Sequence, residues 1–361
     1  MALVSPRLLR RGLELFAVIS ALGFAGLLLY GNNLPTFLEA MGSLEWGWLV
    51  GGVALASLDW FGGGVRLWVL VRHIYPKASL KGSILAGGLA TWAGYLTPAQ
   101  VGSGPLMTYA LKRSGVPIPE ALISTFMSFV ATVVFFAVAG PLAIFFGAGR
   151  SLQQHGVLGT GISLFDLFNL SLGVFVVLGL FMAFAMIFPG VARKLAQQSM
   201  DWFAAHGSPR MAKAAVRLRQ GVDRAHECMV GYMNPRGFRA LALAVLLSAP
   251  SHANKLLAGY FVLRMLGIKA HFVDVLLLQT LITFLLYFAI TPGGAGLAEL
   301  VSAAVMSIYV PRPLVPSYIL LWRIVVSYLT VAFGSYIFWR WLKRAEDRDD
   351  ESLDEPEAVP T

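Results

Sequence analysis

The sequence predicts an all-α polytopic membrane protein, and three observations predict it. Apolar residues make up 57% of the 361-residue chain and Asp, Glu, Lys and Arg only 13%. That is about half the charged share of a soluble domain, so the chain cannot cover its surface with polar groups. The apolar residues fall in runs of roughly 20, the length of a spanning helix. They also lack the strict alternation over about 10 residues that a membrane β-strand needs. A lone cysteine, Cys228, excludes a disulfide scaffold.

The first run, 13–30, follows Arg7, Arg10 and Arg11. No small-x-small cleavage site comes after it, so it reads as a helix and not as a removed signal. Full-length runs follow at 48–71, 121–146, 168–188, 240–266 and 314–342. Two others are short. The run 82–96 ends at Thr97-Pro98 and the run 275–290 at Thr291-Pro292. Each leads through a Gly-rich break into a second short apolar piece, 106–111 and 297–310. Proline removes a helical donor and disfavours the helical region for the residue before it. Broken backbone at membrane depth is tolerated where protein or a cavity covers it. Each pair therefore reads as a re-entrant hairpin, giving six full spans plus two broken hairpins, or eight spans by a looser count.

Charge placement supports this count. With the N-terminus cytoplasmic, 21 of the 28 Lys and Arg residues fall in cytoplasmic segments and 3 in outer loops, the other 4 lying within spans. That asymmetry is the positive-inside rule. It puts both termini in the cytoplasm of a multi-pass cell-membrane protein. A single membrane domain is expected over 1–345, including a basic cytoplasmic linker, 190–239, lying on anionic lipid. An acidic tail, 346–361, is expected to be disordered.

Shifting the chain by 194 residues aligns the two breaks. Thr97-Pro98 falls on Thr291-Pro292, Gly102 on Gly296, Leu106 on Leu300, Ala110 on Ala304, Val116-Pro117 on Val310-Pro311 and Pro119 on Pro313, which gives 8 identities in 23 positions. Self-similarity at a fixed offset means duplicated architecture. Each half, about 10–148 and 165–345, reads span, span, hairpin, span. Three full crossings is an odd number, so the halves are expected to be inverted. Inverted repeats whose broken helices meet near the midplane are a transporter signature.

Ionisable residues inside spans cost about 2.5–3.5 kcal/mol each on insertion scales and so mark candidate sites. Asp59 lies mid-span, with Arg66 two turns later on the same face. His252, Asn254 and Lys255 cluster after Pro250, Arg323 lies in the last span, and Glu299 follows the second break. Lys255, Arg323 and His252 would offer charge to a phosphate. Glu299 would hold a cation or bind a coupling proton, and Thr97 and Thr291 would supply neutral hydrogen bonds. The breaks themselves are Pro98, Gly102, Gly104 and Pro105, and Pro292, Gly293, Gly294 and Gly296. Gly62-Gly63-Gly64 and Gly87-Gly88 read as helix-packing surfaces.

Signals for catalysis are poor. His226-Glu227 lacks a second histidine at metal spacing, and no P-loop is present. No catalytic residue, metal or cofactor is expected, and the net charge of +9 reads as topology and lipid contact, not nucleic-acid binding.

The first break, Thr97-Pro98-Ala99-Gln100-Val101-Gly102-Ser103-Gly104-Pro105, and the second, Thr291-Pro292-Gly293-Gly294-Ala295-Gly296-Leu297-Ala298-Glu299, with Trp322-Arg323 in the last span, resemble the flippase-like family, also called the lysylphosphatidylglycerol synthase transmembrane region. The resemblance covers roughly residues 10 to 345. It implies an ATP-independent flippase of a prokaryotic plasma membrane, moving a lipid with an anionic or glycosylated headgroup, with no synthase activity in this chain. It also leaves two alternatives: a membrane-embedded transferase using a lipid-linked donor, and a non-catalytic partner of a glycosyltransferase or lipid-modifying enzyme.

Overall fold

The computed structural model describes residues 6–29, 34–143, 145, 164–206, 209–287 and 289–354, and every regular element among them is helical. Six helical segments are long and apolar enough to cross a membrane. They are α1 (Pro6–Leu29), α3 (Trp46–Ile74), α6 (Ile118–Ala143), α7 (Leu164–Ile187), α10 (Pro235–Met265) and a composite last span. The last span joins α13 (Val315–Arg323) to α14 (Leu329–Asp354) through a π-turn, Ile324–Tyr328. These are the six full spans expected. Leu22, Val50, Val177, Phe181 and Leu246 stand exposed on them, which water would penalise and acyl chains would not.

The two short runs form returning hairpins, as predicted. The first comprises α4 (Leu80–Leu96), the turn Pro98–Gln100 and α5 (Ser103–Arg113). Its open end is closed: a Cβ on Gly82 would lie 2.7 Å from Cβ of Ser114. The second comprises α11 (Phe272–Tyr287), the turn Pro292–Gly294 and α12 (Leu297–Met306). Its ends also meet, the Tyr309 hydroxyl donating to Asp274 Oδ2 at 3.1 Å.

What sets the hairpins in relation to each other is the pairing of α3 with α10. The two helices run antiparallel in close contact. Glu45 N donates to Met265 O at 3.0 Å at one end, and Tyr232 OH donates to Leu70 O at 2.7 Å at the other. Midway, a Cβ on Gly62 would stand 2.9 Å from Ser251 Cα, so only a glycine allows this approach. The first hairpin follows the C-terminal end of α3 and the second follows the C-terminal end of α10. They therefore leave from opposite ends of the pair, about 40 Å apart at 1.5 Å per residue. Gly64 and Gly87 bring α3 against α4 in the same way, a Cβ on Gly87 falling 2.8 Å from Gly64 Cα. The glycine runs are packing surfaces, as read.

A short helix, α2 (Leu34–Gly42), follows the first span, in a stretch to which the apolar runs assign no element. The basic stretch 190–239, whose sequence is helix-compatible and amphipathic in places, contains two helices, α8 (Pro189–His206) and α9 (Pro209–Gly231), packed side by side. Arg193 Nε reaches Asp223 Oδ1 at 2.7 Å, and Arg224 Nε on α9 meets Glu120 Oε1 on α6 at 2.9 Å. The acidic tail departs from expectation: it is helical through Asp354. A nucleated helix propagates at little cost, and Ala345, Glu346 and Arg348 favour it. The rest of the tail, 355–361, and the end of the first repeat near 148 lie outside the described residues.

Candidate functional site

The two breaks share their backbone conformations over the Thr-Pro turn and diverge after it, Val101 and Gly102 being helical where Ala295 is extended and Gly296 left-handed (φ 82°). In the first, Thr97 is extended (φ −127°, ψ 143°), Pro98 opens a short 3₁₀ turn, and Ala99 (φ 47°) and Gln100 (φ 56°) are left-handed. In the second, Thr291 is extended (φ −85°, ψ 150°), Pro292 opens the turn, and Gly293 (φ 57°) and Gly294 (φ 66°) are left-handed. These are the positions matched by the 194-residue offset. Glycine takes this conformation freely, whereas other residues pay about 1–2 kcal/mol, so the first break carries strain that the second avoids. The turns meet: Ala99 N donates to Ala289 O at 2.8 Å, and a Cβ on Gly293 would press within 2.8 Å of Tyr95 O.

Both threonines hold their own breaks. Thr97 Oγ1 donates to Ala93 O at 2.8 Å and accepts from Gly102 N at 2.9 Å. Thr291 Oγ1 donates to Ala295 O at 2.8 Å. A hydroxyl has one proton, so neither donates to an anion in this state. Gly102 is required by closeness, since a Cβ there would lie 2.8 Å from Thr97 Cγ2.

Arg323 and Glu299 form a buried ion pair, each 1% exposed, with Nε to Oε1 at 2.9 Å. The other guanidinium nitrogens donate to Gly293 O and to Ser20 Oγ, both at 3.2 Å. Glu299 Oε2 accepts from Gly296 N at 2.8 Å. The pair thus ties the last span and α1 to the second break.

Two cations, Arg66 and Lys255, and the imidazole of His252 face open space. A cavity of about 720 Å³ lies between the first hairpin and α3, α6, α7 and α10. Arg66, His252 and Lys255 line it, with Thr91, Ser128 and Thr132, and among the described residues no carboxylate does. Arg66 has hydroxyl partners only: its Nη1 donates to Thr132 Oγ1 at 2.8 Å and Ser248 Oγ at 3.2 Å. Arg66 Nε and Ser128 Oγ are buried without a partner among the described residues. His252 Nδ1 contacts Ser248 O at 2.9 Å and its ring stacks on Phe135. Lys255 Nζ stands 5.5 Å from the Tyr95 ring and 5.7 Å from the Tyr287 ring. A smaller adjoining cavity between the breaks shares Lys255, Ala99 and Gln100 with the large one.

The face shared by Asp59 and Arg66 does not make them a pair. Asp59 Oδ2 turns to Asn254 Nδ2 (3.0 Å), Tyr95 OH (3.2 Å) and Thr330 Oγ1 (3.4 Å), behind the cavity wall. Gly104 and Pro105 lie on the cavity rim. Sequence reasoning missed Tyr95, Gln100 and the hydroxyls of α6. For the last a signal existed: Ser124, Ser128 and Thr132 recur every four residues, one stripe on a helix.

Six apolar spans and two broken hairpins touching at their tips define a multi-pass membrane protein. Residues 14–334 match the family described as the lysylphosphatidylglycerol synthase TM region, and the chain belongs to that family, which is tied to lipid synthesis or flipping. No curated protein and no solved structure gives a significant match.

Proposed function

We propose that the chain is an ATP-independent transporter that moves a lipid with an anionic headgroup between leaflets of the cell membrane. The observation that carries this reading is the cavity lined, among the described residues, by Arg66, His252 and Lys255 without a carboxylate. Buried cations are costly unless paired, and here the partner set is incomplete: Arg66 has only hydroxyls and an orphan Nε. A phosphate monoanion about 4 Å from one such cation gains about 4 kcal/mol at an effective dielectric near 20. The Ser128 hydroxyl, buried without a partner among the described residues, would serve one of its remaining oxygens or one of a sugar. Val101, Leu122 and Phe129 line the same cavity and are also exposed outward, so acyl chains could stay in the bilayer while the headgroup enters.

The opposed hairpins support an inverted-repeat reading, in which access alternates about the meeting point of the breaks. No soluble energy-coupling or catalytic element is needed for this, and transport rather than catalysis is the assigned role. The test is leaflet exchange in proteoliposomes. The chain should equilibrate phosphatidylglycerol, and Lys255→Gln and Arg66→Gln should each slow it by about tenfold or more, the equivalent of about 1.4 kcal/mol. Unchanged exchange in both variants would contradict the reading.

A further inference from the structure

We propose that Asp59 is a proton-coupling site: its carboxyl takes up one proton when an anionic headgroup engages Lys255 and releases it when the headgroup leaves. The proposal rests on the anionic-lipid reading above. It deepens that reading by naming the driving ion.

Asp59 lies midway along α3 and is 2% exposed. It has three hydrogen-bond neighbours and no ion pair among the described residues. An ionisable group held at this depth without a counter-charge in contact marks a functional site. Glu299 cannot serve in its place, because both of its oxygens are engaged, one by Arg323 and one by Gly296 N.

The hydrogen bonds around Asp59 accommodate a proton. Tyr95 has one hydroxyl hydrogen and two acceptors within reach, Val326 O at 2.6 Å and Asp59 Oδ2 at 3.2 Å. Val326 belongs to the π-turn, and its carbonyl also accepts from Asn254 Nδ2 at 3.2 Å. π-turns recur at functional sites because they turn carbonyls out of helical register. With the Tyr95 hydrogen on Val326 O, the contact between the Tyr95 and Asp59 oxygens is satisfied when Asp59 carries a proton and donates it. With Asp59 ionised, the Tyr95 hydrogen turns to it. Both protonation states therefore keep a hydrogen between the Tyr95 and Asp59 oxygens within one set of positions, while Asn254 Oδ1 stays buried without a partner among the described residues.

Lys255 links this group to the cavity. It sits on the ring face of Tyr95, whose hydroxyl touches Asp59, and among the described residues it has neither hydrogen bond nor ion pair. Its charge is the one that acts on Asp59. The other titratable or charged groups facing this cluster among the described residues are Arg66 on α3, Tyr95 on α4, Tyr287 on α11, His252 on α10 and Arg323 on α13. Of these Arg323 is committed to Glu299.

One ammonium cannot neutralise two anions, and the second cation of the cavity, Arg66, is turned to the hydroxyls of Thr132 and Ser248. In the proposed cycle the Lys255 charge offsets an Asp59 carboxylate while the site is empty. When a monoanionic headgroup takes the ammonium, Asp59 is left uncompensated in a low-dielectric setting and binds a proton from water on the side of entry. On exit the headgroup leaves, the O–H bond of Asp59 breaks, and the proton passes to water on the other side. One proton accompanies one lipid, and no net charge moves. A pH gradient therefore drives transport, while a membrane potential does not.

The experiment uses the full chain in proteoliposomes with acyl-labelled phosphatidylglycerol, the membrane potential clamped to zero and a pH difference of one unit imposed. One-to-one coupling predicts that the lipid accumulates about tenfold in the leaflet facing the alkaline side, because one unit is a factor of ten in proton activity. Asp59→Asn should still equilibrate the lipid but show no accumulation, and Asp59→Glu should retain the gradient response. In detergent, lipid binding should take up about one proton per site in the wild type, read with a pH dye, and none in Asp59→Asn. Equilibration by the wild type without any response to the gradient would overturn the coupling and leave lipid transport standing. Failure to move the lipid under any gradient would overturn both.

Discussion

Arg323 illustrates how a charge visible in the sequence acquires its role only from its neighbours. Its position within an apolar span marks it as bound to something, and phosphate and Glu299 were both chemically reasonable partners. The carboxylate takes Nε, and Gly293 O and Ser20 Oγ take the other two nitrogens. Removing one member of such a pair leaves the other charge buried and uncompensated, at a cost of about 3–5 kcal/mol. Arg323→Gln and Glu299→Gln should therefore each lower thermal stability severely in detergent. The double variant should recover most of the loss, because two neutral amides can bond to each other. A single Arg323→Gln variant that keeps its stability and loses only transport would reassign Arg323 to the substrate. Thr97 and Thr291 follow the same logic: their types and positions were legible, but the acceptors that occupy their hydroxyls come from backbone within the breaks, which no pattern of residue types reveals.

At the scale of elements, the proline-glycine breaks were the most legible feature, because a missing donor and a restricted preceding residue act locally. The backbone angles agree across the 194-residue offset at the four Thr-Pro-x-x positions, including Ala99 and Gln100, where glycine is replaced, but not at the identical Gly102 and Gly296. The nine-residue helix α2 was less legible, since a short segment owes its stability to what it packs against, whereas α8 and α9 lie in the stretch whose helix-compatible, amphipathic pattern could be read. The opposed exit of the hairpins makes a direct expectation. Cysteines introduced at Lys112 and at Pro313, both exposed, should react with an impermeant maleimide from opposite sides of the membrane, the Lys112 position from the cytoplasm. The native Cys228 gives a quiet background, because burial, and next the Glu120 carboxylate, push its thiol up to about 11, leaving little thiolate at neutral pH. Labelling of both positions from one side would contradict the opposed arrangement.

For the whole molecule, spans and charge asymmetry could be read because the bilayer imposes length and composition on each segment separately. The cavity could not, since it joins residues as distant as Arg66, Ser128 and Lys255, and a serine in an apolar helix looks the same whether it faces a ligand or a neighbouring carbonyl. The central claim is that an anionic headgroup occupies that cavity. Photo-crosslinking tests it most directly, with p-benzoylphenylalanine replacing Phe129 on the cavity wall and, as a control, Phe181 on the exposed face of α7. In vesicles with equal amounts of phosphatidylglycerol and phosphatidylcholine, the adduct at position 129 should be predominantly phosphatidylglycerol, and that at position 181 should mirror the bilayer. The same mixture of headgroups at both positions would contradict the account.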